Sequence, residues 1–199
     1  MFSKTLCNIS EQYPENKMKV LNVHKRIINQ PKNEVSEILK TLATENDKIW
    51  PKEKWPQMKF KDGIKIGAKG GHGPIRYLVE EYNPNEIIQF RFLKPNGFNG
   101  IHKFEINELS KEKTEIKHTL DMNTVGKGTL IWIFGIRSLH NALIEDGLDK
   151  LENDFLENKK LSKWNFWLRF LRKQMAKRKN KVKSKKFCKM NQKVTVFPP

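Results

Sequence analysis

Two histidines, His102 and His118, are the strongest candidates for polar chemistry inside a fold. Each alternates with apolar residues, His102 with Phe104 and Ile106, His118 with Ile116, Leu120 and Met122. Side chains two apart in a strand share a face, so both rings belong to apolar faces. An imidazole there can anchor a ligand oxygen, or act as a general acid or base. Catalysis would also need a carboxylate to orient the ring, yet Glu105, Glu115 and Asp121 have the opposite parity. No catalytic set assembles, and no catalytic residue is assigned. Two histidines without a cysteine or acidic partner are an incomplete metal site, so neither metal nor another cofactor is expected. The plainest alternative makes the pair hydrogen-bonded polar groups in a damp interior.

Other chemistry-bearing residues are less specific. Gly70-Gly71-His72-Gly73 invites a phosphate-loop reading, but it lacks the lysine and the following helix of such loops. A tight connection between strands is the expectation, with His72 at most at a cavity mouth. Trp50 and Trp55 each precede a proline and either plug a core or grip a ligand. Arg137, amid apolar residues, either points into a cavity or snorkels to solvent.

These residues need elements to position them. Residues 20–28 read as a strand with Leu21, Val23 and Ile27 on one side and Asn22, His24 and Arg26 on the other. Asn33 can cap a helix whose apolar positions are Val35, Ile38, Leu39 and Leu42. Strands follow at 58–61, 64–69, 75–82, 87–93, 101–108 and 114–122, separated by turn residues such as Asp62-Gly63 and Pro95-Asn96-Gly97. A long helix over 129–156 closes the series. It begins apolar almost all round and narrows to the stripe Ile144, Leu148, Leu151, Phe155. Such a helix must be gripped on several sides, which a strongly curved antiparallel sheet would do.

That order resembles the START-related helix-grip superfamily, the SRPBCC or polyketide cyclase/dehydrase-like proteins. The segments Ile49-Trp50-Pro51 through Trp55-Pro56, Gly70 to Tyr77 and Pro95 to His102 are similar to its uncharacterised bacterial members. The resemblance implies an α+β fold: seven strands of curved antiparallel sheet wrapped around a long C-terminal helix, with a short helical segment after strand 1. It is specific for fold and weak for function, because the superfamily spans lipid carriers, hormone receptors, cyclases and hydroxylase subunits. The hydroxylase branch needs a Rieske iron domain, and this chain has no such cysteine–histidine pattern.

Turn positions then set a register. A last hairpin centred on Ser110 pairs Phe104 with Ile116 and His102 with His118; a loop centred on Gly97 puts Phe92 beside His102. A two-residue turn at Pro84-Asn85 puts Tyr77 beside Phe92 and Val79 beside Phe90. The expected ligand-binding set is therefore Tyr77, Phe90, Phe92, His102, Phe104 and His118, joined by Trp50, Trp55 and Arg137.

The net charge of +17 on 199 residues is misplaced as a property of the domain. Of the 39 Lys and Arg, fifteen lie in residues 159–199, where no acid occurs, leaving 24 against 22 acidic residues before them. The chain divides into a loose leader (1–17), a helix-grip domain (18–158) and a basic tail (159–199). In the tail Trp164, Trp167, Leu168, Leu171 and Met175 share a helical face, widened by Phe166 and Phe170, with Lys163, Arg169, Arg172 and Lys173 on its flanks. Aromatic residues beside cations suit an interfacial helix on an anionic membrane, with the cation-dense run 177–186 behind it. The same stripe could instead dock on the domain, and the charge alone would also serve nucleic acid, a less favoured partner. Cys7 and Cys188 have no disulfide or metal spacing, residues 1–15 show no secretory pattern, and the longest apolar run, Leu130 to Phe134, cannot span a membrane.

The expectation is a non-catalytic carrier of a small hydrophobic or amphipathic ligand, a lipid among the candidates, in the cytoplasm or on the inner face of the membrane. The rival is a cyclase, aromatase or dehydratase working through a cavity histidine.

Overall fold

The computed structural model describes residues 17–174. Residues 1–16 of the expected leader, both cysteines, Met175 and the basic run 177–186 lie outside the described residues, and Lys17 belongs to the first strand. Strand β1 is Lys17–Ile28, followed by helix α1, Lys32–Lys40. Then come β2 (Lys59–Phe60), β3 (Lys69–His72), β4 (Ile75–Asn83), β5 (Ile87–Lys94), β6 (Phe98–Ser110) and β7 (Lys113–Val125). They form a seven-stranded antiparallel sheet in the order β1-β7-β6-β5-β4-β3-β2. The closing helix has three parts: α2 (Lys127–Ile131), a π-helical turn (Trp132–Ile136) and α3 (Arg137–Glu152). Residues 166–174 are helical as well. The sheet wraps this long helix, and a short helix follows the first strand, as expected.

In α1 the anticipated face of Val35, Ile38, Leu39 and Leu42 is buried. Its N-cap is Pro31, however, and Asn33 lies inside the first turn without capping it. Along β6 and β7 the even-numbered residues face inward, as period-two alternation requires.

Registers moved while faces held. The last hairpin pairs His102 with Leu120 and Phe104 with His118. Its turn lies beyond Ser110, and an irregularity between Glu108 and Ser110 completes a displacement of two residues. An even displacement exchanges neighbours without turning a side chain outward. Likewise Phe90, not Phe92, stands opposite His102. On β4 and β5 the expected pairs Tyr77–Phe92 and Val79–Phe90 form, although the connection is one residue longer than a two-residue turn. A bulge at Glu80 absorbs the extra residue.

The glycine-rich segment is strand β3, and the expected strand at 64–69 is mostly turn. Alternation could not show this, because glycines carry no pattern. The reason for Gly70 is close approach: a Cβ there would stand 2.4 Å from the Phe60 ring and 2.5 Å from the carbonyl oxygen of Lys59.

The closing helix is gripped less than its composition suggests. Trp132 is buried and Ile136 partly so, but Leu130, Ile131, Ile133 and Phe134 are exposed, with Phe134 at 67%. The sheet reaches only one side of this first stretch, where Phe98 meets Trp132 edge-on.

Candidate functional site

Between sheet and helix lies a cavity of about 110 Å³. The sheet contributes Tyr77, Phe92, Phe98, His102, His118 and Leu120. The helix contributes Trp132, Ile136, Leu139, His140, Leu143 and Ile144. Trp50, Trp55 and Pro56 from the α1–β2 connection close one end together with His72, Pro74 and Ile75. Its volume is close to that of an apolar cavity of about 150 Å³ that takes up benzene, and well below the roughly 300–1,000 Å³ of drug-sized sites.

Of the nine expected ligand residues, Tyr77, Phe92, His102, His118, Trp50 and Trp55 line the space. Phe90 and Phe104 sit one layer behind it: the Phe90 ring stacks on His102 at 4.8 Å, and Phe104 meets His118 edge-on at 4.8 Å. Arg137 is exposed and outside the lining, because its side of the helix is the one the sheet does not reach.

All five histidines of the chain belong to one file through this region. His24 and His140 have ring centres 6.1 Å apart, and His140 and His118 5.2 Å. His118 Nε2 lies 3.4 Å from His102 Nδ1. The Tyr77 ring follows at 4.3 Å from His102, and its Oη is 2.8 Å from His72 Nε2. Trp50 covers His72 at 4.7 Å.

Burial dominates the electrostatics of this file. It lowers His72 to about 4, helped by Arg76, and His140 to about 3, helped by His24. Burial, then neighbouring histidines, holds His102 and His118 well below the ordinary value. Burial also raises the Tyr77 phenol, which stays neutral. His72, His102, His118 and His140 are therefore neutral at pH 7. Three nitrogens, His102 Nε2, His118 Nδ1 and His140 Nδ1, are shut off from solvent without a hydrogen-bond partner. His140 is half-buried as a residue, yet its Nδ1 is enclosed. Unpaired buried polar atoms cost about 1–3 kcal/mol each, so three on the rings around one cavity single this region out.

His24 and His140 escaped the sequence reading. Both had a signal: His140 falls four residues after Ile136 on the helix, and His24 shares its strand face with Asn22 and Arg26. That face points inward, while Leu21, Val23 and Ile27 are exposed. Its partners are on α3. Asn22 pairs with Asn141 at 3.1 Å, His24 Nδ1 with Glu145 at 2.6 Å, and Arg26 with Glu145, Asp149 and Glu152 at 3.0, 3.0 and 2.5 Å. Two strand residues rise about 6.7 Å and four helix residues about 6 Å, so the two polar rows stay in step. Burial alone would raise the carboxyls of Asp149 and Glu152. Hydrogen bonds outweigh it, from Ser162 and Arg26 to Asp149 and from Lys160 and Arg26 to Glu152, and both are lowered.

A second polar point supports the cavity wall. The buried Asp146 carboxylate accepts from Trp55 Nε1 at 2.7 Å, Trp164 Nε1 at 3.0 Å and Lys54 at 2.8 Å. Arg172 lies 4.4 Å over Trp55 and hydrogen-bonds the Lys54 carbonyl. The aromatic stripe of the tail is thus divided. Trp164 precedes the helical residues and packs on the core, Leu168 is 4% exposed, and Leu171 is half-buried. Phe166, Trp167, Arg169, Phe170 and Lys173 are exposed. Among the described residues no group of His, Cys, Asp or Glu is arranged to hold a metal ion, and no helix is long and apolar enough to cross a membrane.

No protein-family model and no curated protein matches the sequence. Solved structures do. A protein from Thermobifida fusca, 12% identical, matches with a TM-score of 0.54 over 72% of this chain and 99% of its own. Truncated norcoclaurine synthase from Thalictrum flavum, 11% identical, matches at 0.52 over 72% and 97%. A conserved protein of unknown function from Enterococcus faecalis, 13% identical, matches at 0.51 over 81% and 86%. At such identities the likeness establishes the architecture alone: the protein has a helix-grip fold.

Proposed function

We propose that the protein binds a small hydrophobic or amphipathic molecule in the sheet–helix cavity. The observation that carries this reading is an aromatic-lined space walled by three histidine rings that each keep one buried nitrogen unpartnered. Its volume favours a molecule of about one ring; a lipid chain would need Trp50 or Ile136 to move aside. Native mass spectrometry of the purified full chain should reveal a retained small molecule, or saturable uptake of an added one-ring probe. Ile136→Trp, which fills the cavity, should abolish retention while the protein still melts cooperatively. Retention unaffected by that substitution would place the ligand elsewhere.

The enzyme reading, a cyclase, aromatase or dehydratase, draws on the contact of His102 Nδ1 with His118 Nε2 at 3.4 Å, a path for passing a proton between two rings. Substituting both residues separates the two: lost turnover with intact affinity favours the enzyme, lost retention alone the carrier.

Membrane association is part of the proposal. It is supported by exposed Phe166, Trp167 and Phe170 beside Arg169 and Lys173, and by the exposed Leu130, Ile131, Ile133 and Phe134. No acid occurs between Asp121 and Glu145 to repel an anionic surface. Full-length protein should float with vesicles containing phosphatidylserine, and Trp167→Ala with Phe170→Ala should reduce the floated fraction several-fold. Protein that stays at the bottom and instead retards DNA in a gel would refute the membrane part.

A further inference from the structure

The His102–His118 pair does more than leave two nitrogens unpartnered. A neutral imidazole carries one N–H, and its other nitrogen accepts. One hydrogen bond links His102 Nδ1 to His118 Nε2. If His102 supplies that proton, its Nε2 is a bare acceptor, and His118, accepting at Nε2, must carry its own proton on Nδ1. If His118 supplies the proton from Nε2, its Nδ1 is bare and His102 carries a proton on Nε2. In either arrangement the two outer nitrogens are one donor and one acceptor, never two of a kind. The rings are also bound to the same tautomer, both Nδ1–H or both Nε2–H, since any mixture breaks the bond between them. Both outer nitrogens are buried without partners just behind the surface of the cavity that their rings line, so a ligand meets either one by a small turn of its ring.

We propose that this coupled pair selects compact one-ring ligands bearing a hydroxyl or carbonyl oxygen against hydrocarbons of the same size, by switching both tautomers together to match the ligand. The inference rests on the cavity's being the ligand site. A hydroxyl both donates and accepts, so it satisfies whichever outer nitrogen it reaches. A carbonyl only accepts, so it recruits the tautomer whose N–H faces it and thereby sets the other ring. A hydrocarbon leaves both nitrogens unpaired. Burial, which keeps both rings neutral, supplies the condition under which the coupling holds.

The test uses ¹⁵N-labelled full-length protein at pH 7.5, with toluene, phenol and cyclohexanone as probes. Imidazole ¹⁵N spectra distinguish bare from protonated nitrogens, and tryptophan fluorescence gives the affinities. We expect His102 and His118 to show matching tautomers in the free protein. Phenol and cyclohexanone should displace the signals of His102 Nε2 or His118 Nδ1, and toluene should not. Phenol should bind about five- to tenfold more tightly than toluene, the gain of one hydrogen bond to a buried unpaired group. His118→Phe should narrow that ratio; the wild-type spectra decide the matter even if this variant fails to fold. Mixed tautomers overturn the proposal. So does equal affinity for toluene and phenol, which leaves the cavity reading intact. If none of the three probes enters, the cavity reading falls with it.

Discussion

Acidification from pH 7 to pH 5 is expected to remove most of the protein's stability, before ordinary carboxylates titrate. Four histidines carry the effect. Burial holds His72 near 4 and His140 near 3, and keeps His102 and His118 well below the ordinary value. In the unfolded chain each takes up a proton as the pH falls past about 6.5. The folded protein does not until far lower. Across that window the unfolded state binds more protons, so its population grows as pH falls: the stability is fully present above 6.5 and is lost below it. Each histidine contributes up to about 1.4 kcal/mol per pH unit, and four together up to about 5.6 kcal/mol per unit below pH 6.5, against roughly 5–15 kcal/mol for a whole domain. Asp47, raised chiefly by burial, offsets part of this slope near the acid end. The lowered Asp149 and Glu152 add their own losses only below the usual carboxylate range. Urea melts at pH 7.5, 6.5, 5.5 and 5.0 should show the midpoint falling steeply, and His72→Gln should flatten the slope by about one proton. A midpoint constant from pH 7.5 to 5.0 would mean that the rings are not buried as neutral groups.

Asp146→Ala is expected to cost about 3–5 kcal/mol, the range for removing one partner from a buried charged network. The substitution takes the acceptor from the indoles of Trp55 and Trp164 and the ion partner from Lys54, whose ammonium still reaches solvent. It also severs the segment around Trp164 from the wall of the cavity. Thermal melting should show the loss, and trypsin should cut more readily at Lys159, Lys160 and Lys163. Asp146→Asn retains one acceptor oxygen and should lose less. An unchanged melting temperature in Asp146→Ala would show that the indoles find other partners and that Asp146 is not the point holding this segment.

Which parts of this arrangement were legible depended on whether a side-chain period exposed them. On β6 and β7 the faces of His102, Phe104, Ile116, His118 and Leu120 followed from alternation, and displacements of two residues left those faces intact. The partners were not legible. A bulge at Glu80 and an irregularity before Ser110 each shift pairing without leaving a signature in composition. Strand β3 was hidden because Gly70 and Gly71 have no side chain to alternate. On β1 the polar face turned out to be the inner one, since Asn22, His24 and Arg26 find partners on α3 more than a hundred residues away.

The tail shows the same division. Its apolar repeat was plain, but the side chains that dock were selected by what faced them: Asp146 for Trp164, and the core for Leu168. By itself the sequence determined the order of elements, the inward parity of the last two strands, and the near-neutrality of the domain apart from its tail. These follow from local periodicity and composition, which each segment carries with it. The tertiary structure alone decided that all five histidines gather in one file, that three of their nitrogens go unpaired, and that the cavity measures about 110 Å³. Those are properties of distances between segments far apart in the chain, and closing of the sheet around the helix sets them.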